Sequence, residues 1–435
     1  MRTLLNRRSA ACVRAAALSL ALWSSPLAVA AQPTTAPAPA TVVRAARWLD
    51  VKAGRIVTGA SVVVQGGRIT SVGGAVPAGA TVIDLGDVTL APGLIDLHTH
   101  LTMDIEGNWV MREVTETAVD SALRGARNAR RTVEAGFTTV RDVGSADFAD
   151  VALGKAIAAG FVPGPRIVPA GHSIGITGGH CDTTGLAPGL QERDWRSGIA
   201  DGVDEITKAV RYQTKHGAKV IKICATAGVL SFETSVGAQQ LSDAEMKAAV
   251  DEATRHGLRV AAHAHGTEGI KAAIRAGVAS IEHGSMLDDE AMTMMKSRGT
   301  YLVPTTHLVD AIDLAALPPL LRSKAESVLP IARNNLRKAI AAGVKIGFGT
   351  DAAVYKHGDN AMELAAYTKL GMSSIDAIRS ATTVAAEALG VTDRGAIAEG
   401  LLADLVAVPG NPIENVAAYQ DVRFVMVNGT VLLKK

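Results

Sequence analysis

Aromatic residues are scarce in this chain: Phe, Trp and Tyr make up 3% of 435 residues, although 48% are hydrophobic. Core volume must come from closely packed Ala, Val and Leu, a composition suited to helices on a parallel sheet and unsuited to disorder. Charge of one sign is also missing. The formal net charge is +2 and no basic run follows the N-terminus, so the sequence carries no nucleic-acid surface. Cysteine is sparse, with Cys12 near the start and Cys181 and Cys224 far from it. Two cysteines make no disulfide framework, and the sequence leaves open whether these two pair. The apolar run from Ala15 to Trp23 is too short to span a bilayer.

That run belongs to an export signal. Arg2, Arg7, Arg8 and Arg14 form a basic head without an acid, and Ala28-Val29-Ala30 is a small-x-small cleavage site. Residues 1–31 therefore read as a signal peptide and the mature chain as periplasmic or secreted. Loss of the four arginines takes the formal charge from +2 to −2. The Arg7-Arg8 pair lacks the hydrophobic residues that follow a twin-arginine signal, which leaves the route open. Residues 32–41 (QPTTAPAPAT) are a flexible leader.

Short β-type runs fill residues 42–90, at Thr41 to Ala45, Ala60 to Val64, Arg68 to Val72 and Thr81 to Asp84, with Gln65-Gly66-Gly67 as a hairpin turn. Residues 395–435 repeat this texture at Ala403 to Val408, Val422 to Val427 and Thr430 to Leu433, with the turn signal Asn428-Gly429. The two ends are expected to build one small β-sandwich domain. Between them a helical pattern closes on Gly and a β run starts at once: Gly136 then FTTV, Gly217 then AKVIKI, Gly257 then LRVAAHAH, Gly277 then VASIEH, Gly299 then TYLV, Gly343 then VKIGFGTD. Glycine just past a helix supplies the left-handed cap, and alternating strands and helices imply parallel βαβ units. Leu94 to His100 and Pro165 to Pro169 bring the strand number to eight. The fold class is α/β, a (β/α)8 TIM barrel over residues 91–394, with a doubly wound open sheet as the alternative.

In such barrels chemistry sits at the C-terminal strand ends. His98 and His100 share a strand face, as do His263 and His265, and His172, His180, His283, His307 and His357 also fall at or beyond strand ends. His216 and His256 precede capping glycines, where the helix dipole accounts for them. Neutral imidazoles aimed at one point are a metal grip. Lys222 shares a face with Val220 and Cys224. If that face lines the barrel, the amine is buried at a cost, and CO2 could convert it to an anionic bridging carbamate. If not, it is a strand lysine reaching solvent. Asp351 at the last strand end is either a helix cap or a metal ligand that takes a proton from water.

His98-x-His100 on strand 1, Lys222 on strand 4, His263 on strand 5, His283 on strand 6 and Asp351 on strand 8 resemble the binuclear amidohydrolase superfamily over nearly the whole mature chain. Ala91-Pro92-Gly93-Leu94-Ile95-Asp96 and Gly395-x-Ile397-x-x-Gly400-x-x-Ala403-Asp404-Leu405 resemble its flanking segments. Thr177-Gly178-Gly179-His180, Lys222 to Val229 and His357-Gly358-Asp359-Asn360-x-x-Glu363 look like the imidazolonepropionase-related branch. That branch includes Xaa-Pro dipeptidases and ochratoxin-hydrolysing amidohydrolases. Ala227 departs from it, where many relatives carry glycine. The resemblance implies two divalent ions, most simply zinc, with His98, His100 and Asp351 on one, His263 and His283 on the other, and carboxylated Lys222 as bridge. It favours His263 over His265, implies Asp351 and Lys222 as catalytic, and puts His180, His307, Tyr355 and His357 toward substrate. The implied substrate is an N-acyl amino acid or dipeptide-like amide, and the implied assembly a homo-oligomer, octamers included. A lactone or imidazolone hydrolase is the alternative on the same site.

Overall fold

The computed structural model describes residues 39–435 except 106 and 234. The expected signal peptide and most of the leader lie outside the described residues, and Thr41 already belongs to the first strand. Among the described residues no helix is long and apolar enough to cross a membrane.

Strands from both ends of the chain share one eight-stranded sheet. Thr41–Asp50, Arg55–Gln65, Arg68–Val72, Thr81–Asp84 and Val88–Pro92 join Leu405–Pro409, Phe424–Val427 and Thr430–Lys434. The seam is Val88–Pro92, parallel to Thr41–Asp50 on one side and antiparallel to Leu405–Pro409 on the other. The sequence hid this strand, because Pro92 ends a run too short to read as sheet. Both foreseen hairpins form. Gly66 and Gly67 have φ of 58° and 78°, and Asn428 and Gly429 have 50° and 78°, the left-handed pairs that two-residue hairpin turns require. One continuous sheet stands where two stacked layers were expected. It still encloses a core, since Val43, Val62, Ile69, Leu405, Phe424 and Met426 pack in one apolar cluster.

The middle of the chain alternates parallel strands with helices. Leu94–Thr99, Phe137–Asp142 and Arg166–Pro169 form a three-stranded sheet. Ile221–Cys224, Val260–Ala264, Ser280–His283 and Tyr301–Val303 form a four-stranded one. The expected eighth strand is not a ladder. Its segment nonetheless bonds both neighbours: Leu302 N donates to Lys345 O (2.9 Å), Gly347 N to Leu302 O (2.8 Å) and Leu97 N to Phe348 O (2.8 Å). Across the other gap Ile174 N donates to Lys222 O and Cys224 N to Ile174 O, both at 2.8 Å. The eighth segment runs so close to its neighbours that a Cβ on Gly349 would lie 2.2 Å from Val303 Cγ1 and 3.0 Å from His98 Cβ. Two glycines there let the chain pass. Helix signals fall where the rhythm put them: Gly217, Gly277 and Gly299 cap helices at φ of 111°, 99° and 71°, and Ser242 with Glu245 closes a capping box.

Candidate metal centre

Strand ends deliver the histidines to one place. The His98 ring centroid lies 5.4 Å from that of His100 and 5.0 Å from that of His283. His283 in turn lies 4.9 Å from His263 and 5.0 Å from His265. Two groups of donor atoms converge to within 4.8 Å, His263 with His265 and His283, and His98 with His283 and Asp351. The structure thus leaves His265 inside the donor set, although its Nδ1 also bonds Ser285 Oγ at 2.7 Å.

The tautomers of the first pair follow from their partners. His98 Nδ1 lies 2.8 Å from Glu282 Oε2 and His100 Nδ1 lies 3.0 Å from Gly144 O. Both partners can only accept, so both Nδ1 atoms carry a proton, which leaves each Nε2 as the ring atom that a metal ion would meet. Those Nε2 atoms lie 3.4 and 3.5 Å from Asp351 Oδ1. Burial works against ionisation of Asp351, but His98, His283 and His100 hold its carboxyl well below the usual range. Three potential ligand atoms, two ring nitrogens and a carboxylate oxygen, therefore meet at one point. Ligands about 2.1 Å from a tetrahedral zinc lie about 3.4 Å apart, so a cation fits between these three. The Nε2 of His263, buried and without a hydrogen-bond partner, is a further acceptor with nothing to bind. Burial pushes the imidazole of His100 down to about 4, His265 to about 3, and His263 and His283 well below their ordinary value. Burial thus favours the uncharged form of these rings, the form that could bind a metal ion.

Lys222 is buried, not solvated. Burial lowers its amine to about 8 against the pull of Glu282 and Asp351, which leaves a substantial neutral fraction near physiological pH. Backbone strain gathers at the same spot. His283, Thr305 and Asp351 end or follow three neighbouring strands with φ of 65°, 48° and 58°, a region that non-glycine residues enter at a cost of about 1–3 kcal/mol. Thr305 Oγ1 bonds His283 Nδ1 at 2.8 Å, so one strained residue steadies another.

Of the four residues expected at the substrate, one reaches the histidines. The His180 ring stacks on His263 at 4.0 Å. His307 and Tyr355 pack edge to face at 5.1 Å, with Tyr355 buried close enough to Asp351 to feel its charge. His357 turns away. Its Nε2 donates to Met103 O at 3.0 Å and the ring is buried, which makes it a brace for the loop after the first strand. Ala227 fits where relatives carry glycine: it is buried and its N–H donates to Ala238 O at 2.9 Å.

Sequence reading missed the groups that aim these ligands. Glu282 holds His98 and pairs with Arg141 Nη2 at 2.8 Å; burial would raise its carboxyl, but Arg141 and His98 bring it down to about 2. Asp96 takes the hydroxyl of Thr350 at 2.6 Å, the amide of Asn360 at 2.8 Å and the His98 N–H at 3.0 Å. It thereby ties the first strand end to the residue before Asp351. Glu363 accepts the Thr306 N–H at 2.6 Å and the His307 N–H at 2.5 Å. Alternation could have flagged Glu282, which neighbours His283 on a buried strand. The partners of Asp96 and Glu363 come from distant segments, and no local pattern announces them. Glu282→Gln is expected to weaken metal binding by about 10–100-fold while the fold persists, measured by competition with a chromophoric chelator.

The family model that describes the amidohydrolase family matches residues 89–432. The chain belongs to this family. It is 35% identical over 354 residues to the ochratoxinase of Aspergillus niger, covering 76% of this chain and 72% of that enzyme. The crystal structure of a Xaa-Pro dipeptidase with bound methionine in its active site superposes with a TM-score of 0.86 at 38% identity, over 90% of this chain and 99% of the other. A prolidase complexed with N-methylphosphonate-L-proline gives 0.82 at 34% identity, over 91% and 100%. As an amidohydrolase the chain is a hydrolase acting on amide bonds, and its histidine clusters are groups that could bind metal.

Proposed function

We propose that this amidohydrolase uses two divalent metal ions, zinc the simplest choice, to cleave the amide of N-acyl amino acids or dipeptide-like substrates. The observation that carries the reading is the convergence of His98 Nε2 and His100 Nε2 on Asp351 Oδ1, at 3.4 and 3.5 Å. His98, His100 and Asp351 would hold one ion and His263 and His283 the other, with His265 beside the second. Lys222, carboxylated through its neutral amine, would bridge them. When bound, the ions polarise the scissile carbonyl and lower the pKa of water to about 7. Asp351, held ionised, accepts the proton of the attacking water and hands it to the leaving amine. Stacked on His263, His180 faces the reacting carbonyl, while His307 and Tyr355 line the approach.

The ochratoxinase relative motivates a bulky aromatic acyl group and phenylalanine as leaving amine, as in ochratoxin A. The Xaa-Pro dipeptidase, alike over nearly its whole length, supports a second reading as a dipeptidase. We further infer that the parallel strands and segment 344–351 close into one (β/α)8 barrel over 91–394. Hydrogen bonds across both gaps support this, and residues 42–90 with 395–435 would be its appended β-domain. An exported location rests on the arginine-rich signal peptide expected over residues 1–31 and on the Cys181–Cys224 disulfide, which suits an oxidising compartment.

Product analysis by mass spectrometry over a panel tests the substrate class. The panel is ochratoxin A, an N-acyl-phenylalanine, a Xaa-Pro dipeptide, an imidazolone and a lactone, each with and without chelator. Chelator-sensitive release of phenylalanine is the expected result. Turnover of the imidazolone or lactone alone would overturn the substrate class.

A further inference from the structure

Cys181 and Cys224 are bonded to each other, with Cα atoms 6.0 Å apart. Their neighbours in sequence make this bond more than a staple. Cys224 ends the strand that carries Lys222, and Cys181 follows His180 directly. His180 sits in a long excursion between the strand Arg166–Pro169 and the helix Gly202–His216. Excursions of this length are mobile unless tied down. Thr177 and Gly178, just before it, are exposed.

Around His180 every restraint converges on the ring. Its Nδ1 bonds Ser231 Oγ at 2.7 Å, and its backbone N donates to Gln240 Oε1 at 2.9 Å. Lys324, itself buried, donates from Nζ to Ser231 O at 2.7 Å and to Glu233 O at 2.8 Å, fixing the loop that offers the serine. Gly228 leaves the ring its space, since a Cβ there would lie 2.2 Å from His180 Nδ1. These contacts are all noncovalent. The disulfide alone couples the His180 segment covalently to the strand of Lys222.

We propose that the Cys181–Cys224 disulfide is a positioning element for His180, holding its ring against His263, and that full activity requires the oxidised chain. The proposal rests on the amidase reading above for its kinetic arm. Reduction by a phosphine or dithiol breaks the S–S bond, adds two electrons and two protons, and yields two thiols. The His180 segment then keeps only hydrogen bonds, and the ring loses its fixed stacking. A displacement of about 1 Å at a reacting group can cost on the order of 100-fold in rate.

The test uses the full chain loaded with metal. One sample is reduced with a phosphine, which adds no competing thiol, and alkylation at Cys181 and Cys224 is verified by mass spectrometry. A second is the Cys181→Ala/Cys224→Ala variant, which needs no reductant. Hydrogen–deuterium exchange is expected to rise in the peptides covering 175–185 and to stay unchanged in those of the metal-bearing strands. Bound metal is expected to persist while kcat/KM falls roughly 10- to 100-fold. In a His180→Ala background the same loss of the disulfide is expected to change kcat/KM by less than about twofold, because its effect passes through that ring. Unchanged exchange and kcat/KM in the double-cysteine variant, multiplying effects in the triple variant, or two free thiols in the native protein would each overturn the proposal. If the wild-type chain hydrolysed no amide, the amidase reading would fall, and the exchange arm would still decide the clasp.

Discussion

Lys222→Ala is expected to leave a folded protein with almost no amidase activity. A metal clamp supplies several kcal/mol of transition-state stabilisation, and each 1.4 kcal/mol is about tenfold, so the loss is on the order of 10³- to 10⁴-fold in kcat/KM. Thermal stability should hold or rise, because desolvation of the buried amine outweighs the pull of Glu282 and Asp351 on it, a cost that alanine does not carry. This split separates a bridging ligand from a structural lysine, whose removal would lower stability and activity together. Short carboxylates such as propionate should restore part of the activity by filling the space of the missing carbamate. The pH dependence has a definite sign. Carboxylation needs the neutral amine, and the amine stands at about 8 through burial. Reconstitution of apoenzyme at constant dissolved CO2 should therefore quicken as pH rises through about 8. Full activity and full metal content in Lys222→Ala would remove the bridge from the mechanism.

Asp351→Asn is expected to lower kcat by about 10²- to 10⁴-fold, the usual worth of a positioned proton carrier. The substitution is mild for the backbone, since Asn tolerates the left-handed conformation that Asp351 adopts at φ 58°. Its effect is chemical. A neutral amide would replace the carboxylate that now lies 3.4 and 3.5 Å from His98 Nε2 and His100 Nε2. Metal affinity should drop with kcat, and the melting temperature should not. Stopped turnover with unchanged metal affinity would show that Asp351 carries protons without being a ligand.

The parts of this molecule that could be read from sequence are those that repeat locally. Glycine caps followed by β runs announced the βα units, and the spacing of His98 and His100 announced a shared face. Lys222 and Asp351 were legible as strand-end oddities, a cation and an acid where apolar residues belong. The eighth segment escaped as a regular strand because Gly347 and Gly349 trade ladder geometry for close passage past Leu97, Val303 and His98. His357, expected toward the substrate, bonds the Met103 carbonyl through Nε2, a partner 254 positions away. Partners from other segments likewise hid the roles of Asp96 and Glu363. A buried carboxylate has no sequence signature until the groups that satisfy it are in place.

Metal titration of the apoenzyme tests the central claim most directly. Chelator-stripped protein is supplied with zinc in known steps, while bound metal per chain and amide hydrolysis are followed together. Activity is expected to be absent without metal and to reach its plateau at two ions per chain. Full amide hydrolysis by metal-free protein would contradict the account outright, and a plateau at one ion would reduce the proposed pair to a single site.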